Sequence, residues 1–348
     1  MAQLVRWARP RTPLQRPTGA IYPHGVHRSS APLGVLAIVV GALLFAVNGT
    51  VAKLAMQAGL SPTRLVELRS LGSAVLLVAA ALALSPRAMR LRGREVWAMA
   101  ALGIIGVAIV QWCYLVAISR LPVGLALLIE YTAPVLVALW ARFVLREQVR
   151  ARMWWGLAAC LVGLGMVAQV GDGVVLDAIG LLAAVAAAVS LATYYLLGER
   201  LVKQRDPLST HAWSMTFAAL FWIVLQPLWT FPTGVLGTDV PLPGALDGAS
   251  PPLWALVLWI IVLGTAVPYL LFLVGIRRLG AARAGLLGMV EPVAASAAAW
   301  FVLGETMTSV QLLGGGVVLA GIALAETARR HTSTSADEGA VLPDTVAP

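Results

Sequence analysis

Long apolar runs alternate with short polar breaks from Leu33 to Ala325. A hydrocarbon core about 30 Å thick requires about 20 apolar residues for each helical span, and ten runs approach or exceed that length. Because most connections are short, consecutive helices are predicted to be antiparallel neighbours. The pattern therefore predicts an all-α integral membrane protein with ten transmembrane helices, at 33–56, 63–84, 96–118, 123–144, 153–170, 178–198, 209–230, 253–275, 281–303 and 309–325.

The composition disfavours the soluble classes of protein. Hydrophobic residues make up 59% of the 348 residues and charged residues only 12%, whereas a soluble domain carries about 25% charged residues. A soluble enzyme or a disordered chain does not fit these values. Both cysteines lie within apolar runs and the four histidines are scattered. No metal site, cofactor or disulfide framework is therefore predicted.

The net charge of +9 is distributed unevenly along the chain. Of the 25 lysines and arginines, 21 lie in the two tails and in four further segments, all of which ten spans place on one side of the membrane. The positive-inside rule assigns that side, with both termini, to the cytoplasm. Topology thus accounts for the basic excess, and nucleic-acid binding is not predicted. The four segments are 85–95, 142–152, 199–207 and 277–283.

Polar tails flank two halves of equal helix number. Residues 1–32 are rich in Arg and Pro, and residues 327–348 are polar and of low complexity. Both segments are predicted to be disordered cytoplasmic tails. The half 33–170 contains predicted helices 1–5, and the half 178–326 contains predicted helices 6–10.

An internal repeat relates these halves. A shift of 158 residues aligns 120–168 with 278–326 without a gap, and 14 of the 49 positions are identical. Because each repeat contains five spans, an odd number, the second repeat enters the membrane from the opposite side. Inverted repeats are typical of secondary transporters, whose substrate site lies near the midplane. The most informative matches are Arg120-Leu121 with Arg278-Leu279, Pro134 with Pro292, and Phe-Val-Leu-x-Glu at 143–147 with the same pattern at 301–305.

A resemblance to known permeases is carried by Arg69 and by three segments: GLALLIEYTAPVLVALWARFVLRE (124–147), LGTAVPYLLFLVGIRRLGAARAGLLGMVEPVAASAAAWFVLGE (263–305) and QLLGGGVVLAGIALA (311–325). They resemble the EamA (RhaT-like) ten-helix permeases of the drug/metabolite transporter superfamily. The resemblance covers about 33–326. It implies a bacterial inner-membrane exporter of amino acids, metabolites or toxic compounds that moves a small-molecule substrate by alternating access.

The first repeat departs from the family pattern at two points. It reads Arg146-Glu147 where Gly-Glu is commoner, and Ala133-Pro134 where the pattern has Glu-Pro. A role tied to that Glu-Pro pair is therefore implied only for Glu291-Pro292.

Four polar residues of the first repeat are predicted to share one depth. At a rise of about 1.5 Å per residue, Asn48 and Gln111 lie roughly 22 Å from the cytoplasmic ends of their helices. Arg69 and Glu130 lie about 9–10 Å below the outer ends of theirs. A charge at this depth is costly unless it is paired or faces a cavity. We predict a hydrated substrate cavity in which Arg69 and Glu130 pair or bind a charged substrate; a structural ion pair is the alternative.

Glu291 is the candidate group for ion coupling. It lies about 15 Å into the ninth span, near the midplane. Pro292 follows it and frees a backbone carbonyl one turn earlier. The carboxyl is predicted to bind a substrate amine or to carry a proton, which would make transport proton-coupled. Packing against a neighbouring hydroxyl is the alternative.

Aromatic residues and prolines complete the predicted site. The aromatic residues are predicted to line the site and to provide hydroxyl donors: Tyr114, Tyr131, Tyr194 and Tyr269, with Trp112 and Tyr195 beside them. Because interfacial belts of Trp and Tyr are common, a packing or interfacial position is the alternative for each. Prolines inside the spans are predicted to kink their helices and to serve gating. These prolines are Pro134, Pro268 and Pro292.

Three other classes of function compete with a transporter. A channel-like pore would also contain buried charges and a repeat, and a non-transporting scaffold would tolerate neutral replacements of those charges. A membrane-embedded enzyme is not predicted, because no catalytic or metal-ligand constellation is present in the sequence. Substrate, coupling ion and the choice between monomer and homodimer are left open, while the lipid bilayer is the expected surrounding.

Overall fold

The protein is a bundle of membrane-length helices. The computed structural model describes residues 31–121, 123–168, 177–303 and 308–338. Almost all of the predicted tail at 1–32 lies outside these residues. Nine helices within the described ranges are long and apolar enough to cross a membrane. The helical architecture predicted from the apolar runs is therefore confirmed.

Ten helical segments correspond one to one with the predicted spans. Where the connections are described, they are turns and 3₁₀ segments, and the longest of them joins α7 and α8. In chain order they are α1 (Ala31–Gln57), α2 (Pro62–Leu84), α3 (Glu95–Arg120), α4 (Gly124–Phe143), α5 (Ala151–Ala168), α6 (Ala178–Val202), α7 (Pro207–Leu225), α8 (Leu253–Leu279), α9 (Ala281–Gly288 and Val290–Leu303) and α10 (Ser309–Glu338).

Two helix ends differ from the prediction. Helix α7 ends at Leu225 rather than at residue 230, because Gln226 precedes Pro227 and adopts an extended backbone. Helix α10 continues to Glu338, although disorder was predicted from residue 327. The sequence after Ala325 contains no Gly or Pro before Gly339, so nothing in it interrupts the helix. The rest of that predicted tail lies outside the described residues.

The three prolines predicted to kink helices all lie beside irregular backbone. Helix α4 is interrupted at Tyr131 and Thr132, just before Pro134, and α9 is interrupted at Met289, before Pro292. In α8 a π-helical turn, Val262–Ala266, precedes Pro268. A proline cannot donate to the carbonyl four residues earlier, so the breaks in α4 and α9 follow from the missing N–H. The turn in α8 also has a second origin, because α3 forms a π-helical turn at the equivalent position with Val110 in place of Pro268. The break in α9 explains why this span is present as two shorter helices.

Helix packing has the two-fold pattern expected of an inverted repeat. Helix α1 packs on α8 and α9 of the second repeat, and α6 packs in the same way on α3 and α4 of the first. Helix α2 packs on its counterpart α7, and α5 packs on its counterpart α10. These contacts are therefore related by exchange of the two repeats.

Individual contacts repeat in the same way. Gly34, near the start of α1, lies against Leu279, and Gly180, near the start of α6, lies against Leu121. Leu121 and Leu279 are separated by the same 158 residues that align the halves. A second π-helical turn in α3 begins at Ile104, again 158 residues before the turn that begins at Val262. The predicted inverted repeat is therefore confirmed.

Glycines bring α5 and α10 into backbone contact. A Cβ atom added to Gly163 would lie 2.6 Å from the Gly314 carbonyl oxygen, and one added to Gly314 would lie 2.7 Å from the Gly163 carbonyl oxygen. Small residues at such crossings allow close packing of membrane helices. The α5–α10 pair therefore depends on the absence of side chains at this crossing.

We expect Gly163→Ala to lower the stability of the protein by about 1–3 kcal/mol, because the added methyl group overlaps backbone that has no room to move. Gly165→Ala is the matched control, since no atom lies within 4 Å of its added Cβ. Both substitutions gain the same helix propensity. Thermal unfolding in detergent will separate them, and equal midpoints for the two variants would contradict the close crossing.

Candidate functional site

A cavity of about 70 Å³ lies between the two repeats. About 10–15 Å³ of such space holds one water molecule, so the cavity accommodates several. Helices α1, α2, α3, α4, α6, α8 and α9 all contribute to its walls. All nine residues predicted for substrate binding or coupling line it: Asn48, Arg69, Gln111, Tyr114, Glu130, Tyr131, Tyr194, Tyr269 and Glu291. The structure brings them together, and their role in transport stays a prediction.

Arg69 is held by the irregular turn of α8. Its Nη2 atom donates to the Gly264 carbonyl oxygen at 2.9 Å, and its Nε atom donates to the Thr265 hydroxyl at 2.8 Å. The Gly264 carbonyl is the one that Pro268 leaves without a helical donor. A proline in the second repeat therefore creates the acceptor that fixes an arginine of the first.

The predicted ion pair between Arg69 and Glu130 is not formed. No contact within 4.0 Å joins the two side chains, although both are buried and line the same cavity. Depth along a helix defines the level of a side chain but not its direction around the axis. The sequence could therefore not decide between an ion pair and the alternative prediction, in which both groups bind a charged substrate. Arg69 provides a positive charge to the cavity and Glu130 provides a separate carboxyl.

Glu67 belongs to a different cluster near the N-terminal end of α2. It is buried and pairs with Arg64 at 2.7 Å. Arg64 also donates to the Thr230 carbonyl oxygen at 3.2 Å and lies over the Phe231 ring. This cluster ties α2 to the segment after α7, and Glu67 does not line the cavity.

Glu291 is hydrogen-bonded across the interface between the repeats. The Tyr131 hydroxyl donates to its Oε2 atom at 2.6 Å. Tyr131 lies at the break in α4, and Glu291 follows the break in α9. The bond therefore joins the two interrupted helices, one from each repeat, at the cavity wall.

Aromatic rings form most of the remaining wall. The Tyr194 hydroxyl donates to the Tyr269 carbonyl oxygen at 3.1 Å, and the two rings meet edge to face. Phe45 contacts the Tyr269 ring at a centroid distance of 5.0 Å. Tyr195 also lines the cavity, whereas Trp112 does not; Trp112 is 38% exposed and packs beside Trp222. Trp112 therefore fits the alternative of a packing or interfacial aromatic rather than a wall of the cavity.

Two buried amides at the cavity lack protein partners. The Oδ1 atom of Asn48 has no hydrogen-bond partner among the described residues, nor does the Oε1 atom of Gln111. A buried polar atom left without a partner costs free energy. The Asn48 oxygen lies against Gly264 of α8, where an added Cβ would lie 2.0 Å from it.

Several site residues were not predicted from the sequence. Five apolar or small residues of the wall carry no feature that distinguishes them from other spans: Phe45, Gly49, Val110, Leu191 and Phe272. His211 is fully buried and stacks on the Tyr269 ring at a centroid distance of 5.8 Å. Its position within an apolar span is the signal that would have identified it. The described residues contain no group of side chains able to hold a metal ion.

Comparisons with known proteins place this architecture in a family. The EamA-like transporter family model matches twice, over residues 32–169 and 178–327. An uncharacterized transporter of Archaeoglobus fulgidus is 30% identical over 219 residues, which are 61% of this chain and 70% of that protein. The inner membrane transporter YicL of Salmonella typhimurium, also uncharacterized, is 22% identical over 308 residues, 87% of this chain and 98% of that protein.

Two further similarities concern a named exporter and a solved structure. The threonine/homoserine exporter RhtA of Escherichia coli is 28% identical over 214 residues, 60% of this chain and 64% of the exporter. A solved structure with 20% sequence identity superimposes with a TM-score of 0.69 over 87% of this chain and 99% of that one, which shows a shared fold. The chain is therefore a multi-pass membrane transporter of a small molecule rather than an enzyme, and it belongs to the EamA-like transporter family.

Proposed function

We propose that the protein exports a small amphipathic metabolite of the amino-acid type from the bacterial cytoplasm, by alternating access and in exchange for protons. The observation that carries this proposal is the combination of charges on the central cavity. One guanidinium, two carboxyl groups and two side-chain amides line a space whose remaining walls are mainly aromatic rings. Such a set of groups fits a molecule with both an amine and a carboxylate.

Each end of such a molecule has a complementary partner. Glu130 and Glu291 offer acceptors for an ammonium group. Arg69 donates two N–H groups, one to Gly264 and one to Thr265, and a guanidinium carries five N–H donors in total. The remaining donors are available to a substrate carboxylate, while the aromatic rings contact its apolar part. The similarity to the threonine/homoserine exporter supports this substrate class.

The helix breaks support alternating access. Pro134, Pro268 and Pro292 interrupt three of the helices that line the cavity, two in the second repeat and one in the first. Discontinuous helices at the repeat interface are a feature of transporters in which one repeat moves against the other. We assign the interruption points as hinges, with the Tyr131–Glu291 hydrogen bond lying between two of them.

The charge distribution supports cytoplasmic termini. Arg205, in the turn between α6 and α7, donates to the Ala88 and Arg90 carbonyl oxygens after α2. Two of the basic segments thus meet at one end of the bundle, which the positive-inside rule places in the cytoplasm.

Expression of the protein in a bacterium sensitive to amino acids tests the proposal. We expect the tolerated concentration of one class of amino acid or analogue to rise about tenfold, because outward transport lowers its concentration in the cytoplasm. The panel contains amino acids, their amides lacking the carboxylate, and organic cations. The inactive control is Glu130→Gln combined with Glu291→Gln. Growth rescue only in the presence of the organic cations would contradict the amino-acid class of substrate. Growth rescue by the control variant would contradict the proposed site.

A further inference from the structure

A second cavity lies in the turn between α4 and α5. Its volume is about 440 Å³, and its walls share no residue with the central cavity. A water molecule needs about 10–15 Å³ of such space, so this cavity admits a much larger group. The lining residues are Arg142, Gln148, Val149, Arg150, Ala151 and Trp154.

The walls of this second cavity are strongly basic. We name residues 142–152 the arginine turn; it contains four arginines and one carboxylate, Glu147. Arg142 and Arg150 line the cavity, and Arg146 lies between them in the chain. Within the part of the chain that the structure describes, neither Arg142 nor Arg146 forms an ion pair with a carboxylate. Arg142 and Arg146 therefore present positive charge that no carboxylate in the described part of the chain neutralises.

The backbone at Arg146 favours glycine. Its φ is 57°, and among the described residues no other non-glycine residue has a positive φ. Side chains other than glycine are disfavoured there on steric grounds. The residue 158 positions later is Gly304, in the second copy of the pattern Phe-Val-Leu-x-Glu. An arginine is thus present where the backbone, and the chain's own repeat, favour glycine.

Comparison of the two repeats shows that the pattern does not require these charges. The residues that correspond to Arg142, Arg146 and Arg150 in the second repeat are Trp300, Gly304 and Thr308. All three arginines are absent from that copy. In an inverted repeat the second copy lies on the opposite side of the membrane, where the positive-inside rule does not favour arginine. The comparison therefore shows only that the repeated pattern forms without the three charges.

Exposed aromatic residues place the cavity at the membrane surface. Phe143 is 73% exposed at the end of α4, and Trp155 is 69% exposed in the first turn of α5. Large aromatic side chains at helix ends are typical of the bilayer interface. The charge and the position together identify a ligand that is anionic and lies at headgroup level.

We propose that the arginine turn binds the phosphate headgroup of an anionic membrane lipid, with phosphatidylglycerol as the probe. Arginine binds phosphate oxygens with parallel N–H donors, and basic pockets between membrane helices are suited to anionic headgroups. Trp154, in the cavity wall, contacts the glycerol and the first part of the acyl chains.

Thermal unfolding of the purified protein in neutral detergent tests this proposal. Phosphatidylglycerol is expected to raise the midpoint, while phosphatidylethanolamine or inorganic phosphate at the same concentration leaves it unchanged. Arg142→Gln should weaken the apparent affinity about tenfold, as expected for loss of one charged phosphate contact in the cavity wall. Arg146→Gly should unfold at the same or a higher temperature without lipid, because glycine suits its backbone.

Arg152→Gln is the matched control, because it removes one charge from the arginine turn but does not line the cavity. Its lipid affinity should stay within about twofold of the unchanged protein, as expected for a screened surface charge. An equal loss of lipid affinity for Arg152→Gln and Arg142→Gln would show that the lipid responds to the overall charge of the arginine turn. That result would overturn the proposed site. An equal response to phosphatidylethanolamine or to phosphate alone would overturn the assignment to an anionic lipid.

Discussion

Replacing Arg69 with glutamine should lower the transport rate roughly 100-fold, because two hydrogen bonds from a charged donor are lost at about 1.5–3 kcal/mol each. The same change removes the positive charge from the central cavity. Gly264 would lose its donor, since Pro268 cannot supply one. The irregular turn of α8 would then lose its connection to α2. Counterflow of a substrate from the growth panel into proteoliposomes measures the effect.

Two further variants separate binding chemistry from folding. Arg69→Lys keeps the charge but cannot donate to Gly264 and Thr265 in the same fork geometry; we expect a loss of about tenfold, consistent with one surviving contact. Arg120→Gln removes an exposed pair with Asp177, whose contribution to stability is small, and should transport normally. Transport by Arg69→Gln at the level of Arg120→Gln would show that Arg69 has no part in the cycle.

Much of the architecture could be predicted because membrane spans are recorded in the sequence directly. A span needs a run of apolar residues of fixed length. The sequence repeat at a spacing of 158 residues predicts the symmetry between the two halves. The breaks in α4, α8 and α9 were also foreseeable, since Pro134, Pro268 and Pro292 cannot donate a helical hydrogen bond. The π-helical turn in α3 was not, because no proline or glycine pair marks Ile104–Ile109 as different from its neighbours.

The residues that line the site could be predicted from the sequence, but the contacts between them could not. Polar residues are rare at bilayer depth, so Asn48, Gln111 and Glu130 stand out from the apolar sequence around them. Which groups face each other depends on rotation about each helix axis. That rotation is set by packing between helices distant in the sequence, such as α2 and α8. For this reason the Thr265 and Gly264 partners of Arg69 were missed, and the prediction left open whether Arg69 pairs with Glu130 or binds a charged substrate together with it.

Replacing Glu291 with glutamine should abolish the response of transport to a pH gradient while exchange of substrate for substrate continues. The amide of glutamine retains an oxygen that accepts from the Tyr131 hydroxyl, so the link between α4 and α9 is preserved. Only the ability to gain and lose a proton is removed. In exchange for protons, a substrate accumulates in the more acidic compartment; the unchanged protein should show this accumulation in vesicles with an acidic interior, and Glu291→Gln should not.

Tyr131→Phe provides the opposite change, because it breaks the hydrogen bond and keeps the carboxyl. We expect this variant to transport about three- to tenfold more slowly, as expected for loss of about one hydrogen bond, and still to accumulate substrate in the acidic compartment.

Glu130→Gln tests the second carboxyl of the cavity, which should affect substrate affinity more than the pH response. If Glu291→Gln retained accumulation and Glu130→Gln lost it, Glu130 would be the proton carrier. If neither variant lost accumulation, proton exchange at this cavity would be disproved, because Glu130 and Glu291 are the carboxyl groups on its described walls.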